Sequence, residues 1–318
     1  MTSKKALITG INGMDGKLLS SLLLSKGYTV YGLFRNNPNK PLTKIEGVQY
    51  IESDLSNLGN LNELFGDLVF DEIYNLGGQT FIGYGWEYPE YTIQVNAISL
   101  IKFLEYIKNY SPNTKFFNAS SSEIFADTII SPQTENTPHS PNNLYGSSKS
   151  LASNIIKNYR EYHNVYAVSG ILYTHEDVSR DEYYVSKKIT SGVAKIHLGL
   201  SNIITLGDIT ATRDWLSAKD VVNGIWMCLQ QNEPQDYIIS SGKSKSIEDF
   251  LSLSFSCIEI YDWKKYISID PSLIRPKKET KIVGDNSRLI SIGWEQTISF
   301  EQMVEELINY EIEKIKLR

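Results

Sequence analysis

Residues 6–19, ALITGINGMDGKLL, decide the fold. An apolar run typical of a buried strand leads directly into Gly10, Gly13 and Gly16, and a second apolar run at helical spacing follows. Glycines at these intervals let the backbone approach a pyrophosphate, which the N–H groups and the dipole of the following helix stabilise. A glycine-rich turn without a ligand is the alternative. The strand before the loop and the helix after it favour a dinucleotide site.

The same alternation of strand and helix continues along the chain. Short β-rich runs recur in the segments YTVYGLF, VQYI, EIYNL, KFFNAS and YAVSGILY, with amphipathic segments such as residues 95–111 between them. This rhythm predicts an α/β fold, a Rossmann-like, doubly wound parallel sheet with helices on both faces. We expect residues 1–174 to form this dinucleotide-binding domain, with later returns of the chain over residues 203–235. Residues 175–318 are expected to form mainly a smaller α/β domain that binds a nucleotide sugar.

Composition and charge argue against several classes of protein. The 318 residues carry a formal net charge of −6, so the basic surface that a nucleic-acid-binding protein needs is missing. No segment reaches the roughly 20 apolar residues of a membrane-spanning helix. The charged start of the chain, followed by a short apolar run and glycines, is not typical of a signal peptide. Cys228 and Cys257 lie in apolar segments, which is typical of packing in a reducing compartment. We expect a cytoplasmic protein with no nucleic-acid, membrane or metal partner.

The end of the second predicted strand indicates which dinucleotide binds. An arginine there pairs with the 2′-phosphate of NADP, whereas a carboxylate binds the ribose of NAD. Arg35, in GLFRNN, takes this position, so NADP is expected, with NAD and a solvated loop arginine as the alternatives. Asp54, after the third strand, is expected at the adenine end, although an aspartate in a turn also caps helices. The other expected cofactor contacts are Asn12, Asp15, Leu55, Leu76 and Gly77, together with Tyr145 and Lys149.

A tyrosine and a lysine at helical spacing are the first catalytic candidates. Tyr145 and Lys149, in LYGSSKS, share one face of a predicted helix, next to the expected cofactor. A phenol with a pKa of about 10 is a poor base, but a lysine ammonium and a cationic nicotinamide lower that pKa. The tyrosine can then take a proton from a sugar hydroxyl, and Ser121, at the end of the fifth strand, can hydrogen-bond the same oxygen. With the glycine loop, these residues indicate an extended short-chain dehydrogenase, whereas the pair alone is frequent on helix surfaces.

A series of motifs extends this likeness over nearly the whole chain. NLGGQTFIGYGWEYPEYT, NASSSEIF, LYGSSKS, GILYTHE, YVSKKIT, LGDITATRDWLSAKD and IRPKKE follow the glycine loop in this order. The series resembles that of GDP-mannose 4,6-dehydratases and related nucleotide-sugar dehydratases. The resemblance implies an NADP-dependent lyase whose active site consists of Ser121, Glu123, Tyr145 and Lys149. Ser121 stands where the best-known members have threonine, and the hydroxyl is kept.

The resemblance gives Glu123 a defined task. Oxidation of carbon 4 of a hexose to a ketone acidifies the proton on carbon 5, and a nearby carboxylate can pass this proton to the departing hydroxyl on carbon 6. Hydride then returns from NADPH to carbon 6, so the cofactor is regenerated. We expect Glu123 to be this base and acid. A solvent-facing loop glutamate is the alternative, and an epimerase or a simple 4-reductase would not need the carboxylate.

The resemblance also implies which residues bind the substrate diphosphate. Arg213 in TRDW and Arg275 in IRPKKE match arginines of the family, and Lys188 in YVSKKIT matches a lysine on the phosphate side. Arginine suits this role because it contacts phosphate oxygens in pairs. Each of the three could instead form a surface salt bridge.

The sugar side departs from the family pattern. Thr174, Phe81 and Gly85 stand where the family usually has asparagine, histidine and serine, respectively. Thr174 and Gly85 are expected to contact the sugar, and the changes leave the identity of that sugar open. His175, beside Thr174, is interpreted as structural because the tyrosine already supplies the base.

The sequence leaves three functions open. The first is a 4,6-dehydratase acting on GDP-mannose or a related GDP-sugar such as a GDP-linked manno-heptose. The changed sugar-side residues keep open a 4-reductase, 4-dehydrogenase or epimerase of the same superfamily. A non-catalytic NAD(P)-binding sensor is the third, although it would not need both Tyr145 and Lys149. The loop after Arg35 is shorter than the one that reaches a neighbouring subunit in the best-known members, so we expect a homodimer rather than a tetramer.

Overall fold

Strands and helices alternate through residues 3–37, 41–274 and 281–317, which the computed structural model describes. In chain order the strands are β1 (Lys5–Thr9), β2 (Thr29–Phe34), β3 (Val48–Glu52), β4 (Glu72–Asn75), β5 (Lys115–Ser121), β6 (Ala167–Leu172), β7 (Thr174–Glu176), β8 (Ile204–Leu206), β9 (Thr212–Ser217), β10 (Tyr237–Ile239), β11 (Ser244–Ser246) and β12 (Ile267–Ile269). The α-helices are α1 (Met14–Ser25), α2 (Leu61–Phe65), α3 (Ile82–Glu87), α4 (Pro89–Ile93), α5 (Ser99–Tyr110), α6 (Leu144–His163), α7 (Val185–His197), α8 (Ala218–Leu229), α9 (Ile247–Ser256), α10 (Ser287–Ser291) and α11 (Phe300–Lys316).

A parallel sheet forms the centre of the molecule. Within the described residues its order is β3-β2-β1-β4-β5-β6-β10. The register places Thr9 beside Leu33 and Ser121 beside Leu172, so the carboxyl ends of β1, β2 and β5 face the same edge. The first six strands have the order of dinucleotide-binding sheets, in which ligands bind at that edge. The predicted Rossmann-like α/β fold is confirmed.

Helices bury their apolar faces on both sides of this sheet. Leu19 of α1 and Ile225 of α8 belong to the core on one side. Phe103 of α5 and Ile156 of α6 belong to the core on the other side. All four side chains are fully buried, and full burial of one such side chain contributes roughly 1.5–3 kcal/mol. The two cores hold the strand ends in fixed positions.

The helix predicted over residues 95–111 is divided into two parts. A π-helical turn, Gln94–Ile98, connects α4 to α5. Asn96 in this turn accepts a hydrogen bond from the backbone N–H of Gln79 at 2.8 Å and donates to the carbonyl oxygen of the same residue at 2.9 Å. The turn therefore fixes the segment that follows β4, beside the glycine loop.

A third apolar core lies between β8, β9 and β12 and the helices α7, α9 and α11. β11, β9 and β7 form a small sheet, and β12 pairs with β8. Around them, Trp215, Phe250 and Phe255 pack with apolar residues of α7 and α11. The chain returns to the central sheet through α8 and β10. In the described part of the chain, no helix is both long and apolar enough to span a membrane.

Candidate active site

The glycine loop leaves no room for side chains. Gly10 has a φ of +69°, in the left-handed region that favours glycine, and a Cβ atom there would lie 2.7 Å from the backbone of Gly77. A Cβ atom on Gly16 would lie 2.3 Å from the carbonyl oxygen of Gly10. Gly13 is the N-cap residue of α1 and cannot cap that helix with a side chain. The loop thus presents bare backbone and a helix N terminus, which suit an anion.

A cavity of about 460 Å³ opens in front of this loop. Its walls include every predicted cofactor contact in the loop and at the strand ends: Gly10, Asn12, Gly13, Asp15, Gly16, Arg35, Asp54, Leu55, Leu76 and Gly77. The Oδ1 atoms of Asn12 and Asp15 are buried and find no hydrogen-bond partner among the described residues. The bare backbone fits a pyrophosphate, and buried oxygens of this kind can accept hydrogen bonds from ribose hydroxyls. The residues present therefore fit a dinucleotide.

Arg35 lies at the mouth of the cavity. Its Nη1 donates a hydrogen bond to the hydroxyl of Tyr91 at 2.8 Å and lies 3.9 Å from Oδ2 of Asp54. Asp54 also caps a short turn, because its Oδ1 accepts from the backbone N–H of Ser56 at 2.8 Å. The half-exposed Arg35 side chain thus lies beside one carboxylate and one phenol. A phosphate group can replace these partners or bind the guanidinium together with them.

Tyr145 and Lys149 lie on α6, with Ser121 opposite them at the end of β5. Burial raises the pKa of Tyr145 well above its ordinary value, and the hydrogen bond with Ser121 opposes this shift. Burial lowers the pKa of Lys149 to about 8. Its Nζ donates to the carbonyl oxygen of Ala119 at 2.7 Å and stands 5.9 Å from the centroid of the Tyr145 ring. In the protein alone, burial therefore raises the pKa of Tyr145 by more than nearby groups lower it, and this outweighs the lowering effect predicted for Lys149.

Glu123 follows Ser121 in the short turn Ser122–Phe125 and is half-buried. Its Oε2 accepts a hydrogen bond from Nδ2 of Asn143 at 2.7 Å. Its charge adds to the factors that raise the pKa of Tyr145, after burial and Tyr184. The Glu123 carbonyl oxygen lies against Gly146, the residue after Tyr145. The structure brings Ser121, Glu123 and Tyr145 to one place, with Lys149 one helical turn further along α6.

The sequence matches a model of the family described as GDP-mannose 4,6 dehydratase over residues 7–307. The chain belongs to the GDP-mannose 4,6-dehydratase family. GDP-mannose 4,6 dehydratase 2 of Arabidopsis thaliana is 35% identical over 331 residues, covering 98% of this chain and 88% of that protein. GDP-mannose 4,6-dehydratase of Vibrio cholerae is 34% identical over 354 residues, covering 99% of this chain and 95% of that protein. The predicted family is confirmed, and with it the class of nucleotide-sugar dehydratases.

A solved structure shows the same fold. The structure of RMD from Pseudomonas aeruginosa complexed with NADPH superimposes with a TM-score of 0.79 at 20% identity. The match covers 98% of this chain and 100% of that one.

Further residues, which the sequence did not indicate, line the cofactor cavity of this dehydratase-family protein. Ser179, Arg180 and Tyr184, from the loop between β7 and α7, line the cavity together with Tyr91. The guanidinium of Arg180 lies 3.5 Å from the centroid of the Tyr184 ring, and its Nε lies 3.3 Å from Oε2 of Glu176. Their place in the chain could have indicated these residues, because the loop comes after β6 and β7, at the carboxyl edge of the sheet.

His175 connects the same loop to the glycine loop. Its Nε2 lies 3.1 Å from Oδ2 of Asp15, and its Nδ1 lies 2.7 Å from the carbonyl oxygen of Tyr173. Both partners can accept a hydrogen bond, which favours the imidazole with a proton on each ring nitrogen. Burial lowers the pKa of His175, but the Asp15 carboxylate outweighs burial and raises it overall. This contact agrees with the structural role expected for His175 and places it against the predicted cofactor residue Asp15.

The residues predicted to lie near the sugar, Phe81, Gly85 and Thr174, do not line the 460 Å³ cavity. Gly85 is buried on α3, and a Cβ atom there would meet Leu144 and the backbone nitrogen of Tyr145 at 3.6 Å, an ordinary contact distance. Phe81, just before α3, is half-exposed. Thr174 begins β7, where it pairs with Trp215. Among these three residues, Gly85 thus lies against the backbone of Tyr145.

Two of the predicted diphosphate residues lie on elements that surround Trp215. Arg213 lies on β9, and its Nη1 donates to the carbonyl oxygen of Thr212 at 2.7 Å. Lys188 is exposed on α7. Its charge helps to lower the pKa of Asp270, although the hydrogen bonds from Ser272 contribute more. Arg275 lies outside the described residues.

Proposed function

We propose that this protein is an NADP-dependent 4,6-dehydratase that converts GDP-mannose, or a closely related GDP-sugar, to the 4-keto-6-deoxy sugar. The main support for the proposal is the position of the half-buried Glu123 carboxylate. Asn143 donates a hydrogen bond to it, and the Glu123 backbone contacts Gly146, the residue after Tyr145. A reductase or an epimerase has no use for a base at this position. Family membership supports the same conclusion.

The residues that would hold the cofactor are those of the glycine loop, with Arg35 at the 2′-phosphate end and Asp54 at the adenine end. When bound, NADP accepts a hydride from carbon 4 of the hexose and returns it to carbon 6. The positive charge of the oxidised nicotinamide would also lower the pKa of Tyr145, which burial alone raises.

Tyr145 would remove the proton from the hydroxyl on carbon 4 as that carbon is oxidised. Ser121, whose hydroxyl lowers the pKa of Tyr145, can hydrogen-bond the same substrate oxygen. Lys149 donates to the Ala119 carbonyl oxygen at the end of β5, so its ammonium is fixed near the phenol. Together these groups hold the carbon 4 oxygen where its proton can be transferred.

Glu123 would then act on the ketone. The carbonyl at carbon 4 acidifies the proton on carbon 5, and the Glu123 carboxylate takes it. The carbon–oxygen bond at carbon 6 breaks, and the protonated Glu123 gives its proton to the departing hydroxyl, which leaves as water. Carbon 5 would then take a proton from solvent through Glu123, so the sugar loses one water overall.

The substrate assignment rests on the family and on placed cations. The chain is acidic overall, with a net charge of −6, so a nucleotide diphosphate needs local positive charge. We assign Lys188, Arg213 and Arg275 to that diphosphate, and Thr174 and Gly85 to the sugar. The changed residues Gly85 and Thr174 are the reason for testing a GDP-linked manno-heptose beside GDP-mannose.

Purified protein incubated with GDP-mannose and GDP-manno-heptose, with a catalytic amount of NADP, tests the proposal. Mass spectrometry should detect a 4-keto product lighter by one water, without net consumption of reductant. The absence of product from any GDP-, UDP-, CDP- or dTDP-sugar would overturn the proposal. The changed residues Phe81, Gly85 and Thr174 make a 4-reductase, 4-dehydrogenase or epimerase the second candidate, and net formation or consumption of NAD(P)H would favour it.

We also propose that the protein is a cytoplasmic homodimer with two domains. The short loop after Arg35 supports a homodimer, which light scattering of the purified protein can test. The free cysteines Cys228 and Cys257 are compatible with the reducing cytoplasm. The separate apolar core around Trp215 supports a nucleotide-sugar-binding domain over most of residues 175–318.

A further inference from the structure

Asn143 connects the two parts of the active site. It lies directly before α6, two residues ahead of Tyr145, and is 8% exposed. Its Oδ1 accepts a hydrogen bond from the backbone N–H of Gly146 at 2.8 Å, which makes it the N-cap residue of α6. Its Nδ2 donates to Oε2 of Glu123 at 2.7 Å.

The orientation of the Asn143 amide follows from its partners. A backbone N–H can only donate, so the atom facing Gly146 must be the oxygen. The nitrogen must then face Glu123. Its second hydrogen points to Oδ1 of Asn142 at 3.1 Å, so both N–H groups are used. A side chain with every polar group engaged cannot rotate without losing a hydrogen bond.

We propose that Asn143 is a positioning residue that fixes the Glu123 carboxylate and leaves its Oε1 free to reach the proton on carbon 5. This inference rests on the proposed dehydratase function. Oε2 receives the amide hydrogen and is therefore the anchored oxygen. The same amide caps α6, so the helix that carries Tyr145 and the carboxylate of Glu123 belong to one rigid unit. A shift of about 1 Å in a reacting group can lower the rate about 100-fold, which is why such an anchor matters.

Two substitutions separate positioning from helix capping. Asn143→Ser and Asn143→Asp both keep an oxygen that can cap α6, because serine, aspartate and asparagine are similarly good N-cap residues. Neither can donate to Glu123 as the amide does: the serine hydroxyl is too short, and aspartate presents a carboxylate to a carboxylate. Asn154→Ser is the matched control, because Asn154 is an exposed asparagine of the same helix, and its amide donates to the Ser150 carbonyl oxygen, away from Glu123.

The measurement separates the first hydride transfer from the elimination in a single turnover. We expect both Asn143 variants to reduce bound NADP at close to the wild-type rate and to keep the wild-type melting temperature within a few degrees. Elimination should slow at least tenfold, so that a 4-keto sugar that retains its 6-hydroxyl accumulates. Asn154→Ser should behave as wild type. Wild-type elimination rates in both variants, or an equal loss of both steps together with a fall in melting temperature, would overturn the inference.

A second measurement does not depend on turnover. In a crystal structure of Asn143→Ser, the Glu123 side chain should leave the position it has in the wild type or become disordered, while α6 keeps its start. A Glu123 side chain in its original place would overturn the inference even if the wild type converts no nucleotide sugar tested. Lack of wild-type product alone would instead count against the proposed function.

Discussion

The backbone of Glu123 packs directly against Gly146, the third residue of α6, so that a Cβ atom at position 146 would lie 2.5 Å from the Glu123 carbonyl oxygen. This contact fixes the distance between the proposed base and the helix that carries Tyr145. Together with the Asn143 amide, it makes the end of β5 and the start of α6 one structural unit.

Gly146→Ala should therefore lower both stability and activity. On an ordinary helix surface this change would stabilise by up to about 1 kcal/mol, because alanine has the higher helix propensity. Here the overlap with the Glu123 carbonyl oxygen should dominate and cost about 1–3 kcal/mol. Thermal unfolding measures the sign, and Asn154→Ala, on an exposed position of the same helix, should not destabilise. A higher melting temperature for Gly146→Ala with full activity would show that the contact is unimportant.

Gly16→Ala should impair dinucleotide binding. A Cβ atom at position 16 would lie 2.3 Å from the Gly10 carbonyl oxygen, so α1 must move away from the glycine loop. Calorimetry should detect a loss of affinity for NADP of about tenfold or more, with a loss of stability of about 1–3 kcal/mol. Gly59→Ala is the control, because a Cβ atom there meets nothing within 4 Å. Equal NADP affinity in both variants would contradict the assignment of the loop.

Arg35→Ala should weaken the binding of NADP and leave NAD nearly unchanged. A hydrogen bond to a charged group contributes about 1.5–3 kcal/mol, which corresponds to a loss of roughly 10–100-fold for the phosphorylated cofactor. Titration of each cofactor, followed by fluorescence, measures the two affinities. If both cofactors weaken equally, Arg35 does not contact the 2′-phosphate.

Lys149 should give the enzyme a basic limb in its pH profile. Burial lowers its pKa to about 8, so the ammonium is present below this pH and is lost as the pH rises through it. Because kcat/KM reports the free enzyme, it should fall about tenfold per pH unit above 8. NMR of protein labelled at the lysine side chains should show one resonance that titrates near pH 8 and is absent in Lys149→Arg. A basic limb without such a resonance would assign the limb to another group.

The local motifs could be predicted from the sequence because they depend on neighbours in the chain. The glycine spacing determines the backbone of the loop at Gly10 and Gly16, whatever packs around it. The four-residue spacing of Tyr145 and Lys149 on α6 is equally local. For the same reason the central strands were predictable from their apolar runs.

Contacts between distant segments could not be predicted in this way. The π-helical turn at Asn96 depends on hydrogen bonds with Gln79, 17 residues earlier. The placement of Arg180 in the cofactor cavity depends on where the loop after β7 folds. The raised pKa of Tyr145 is likewise a consequence of burial, which the spacing of residues on one helix does not contain.

The proposed dehydration requires Glu123 to move the proton on carbon 5, and turnover in deuterated water measures this transfer. Glu123→Gln keeps the shape of the side chain but removes the base, so elimination should slow by roughly 100-fold or more while the first hydride transfer, which depends on Tyr145, persists. The wild type should place solvent deuterium on carbon 5 of the product. The variant should reduce bound NADP, accumulate a 4-keto sugar that retains its 6-hydroxyl, and incorporate no deuterium at carbon 5. Turnover of Glu123→Gln at the wild-type rate, with deuterium on carbon 5, would contradict the claim.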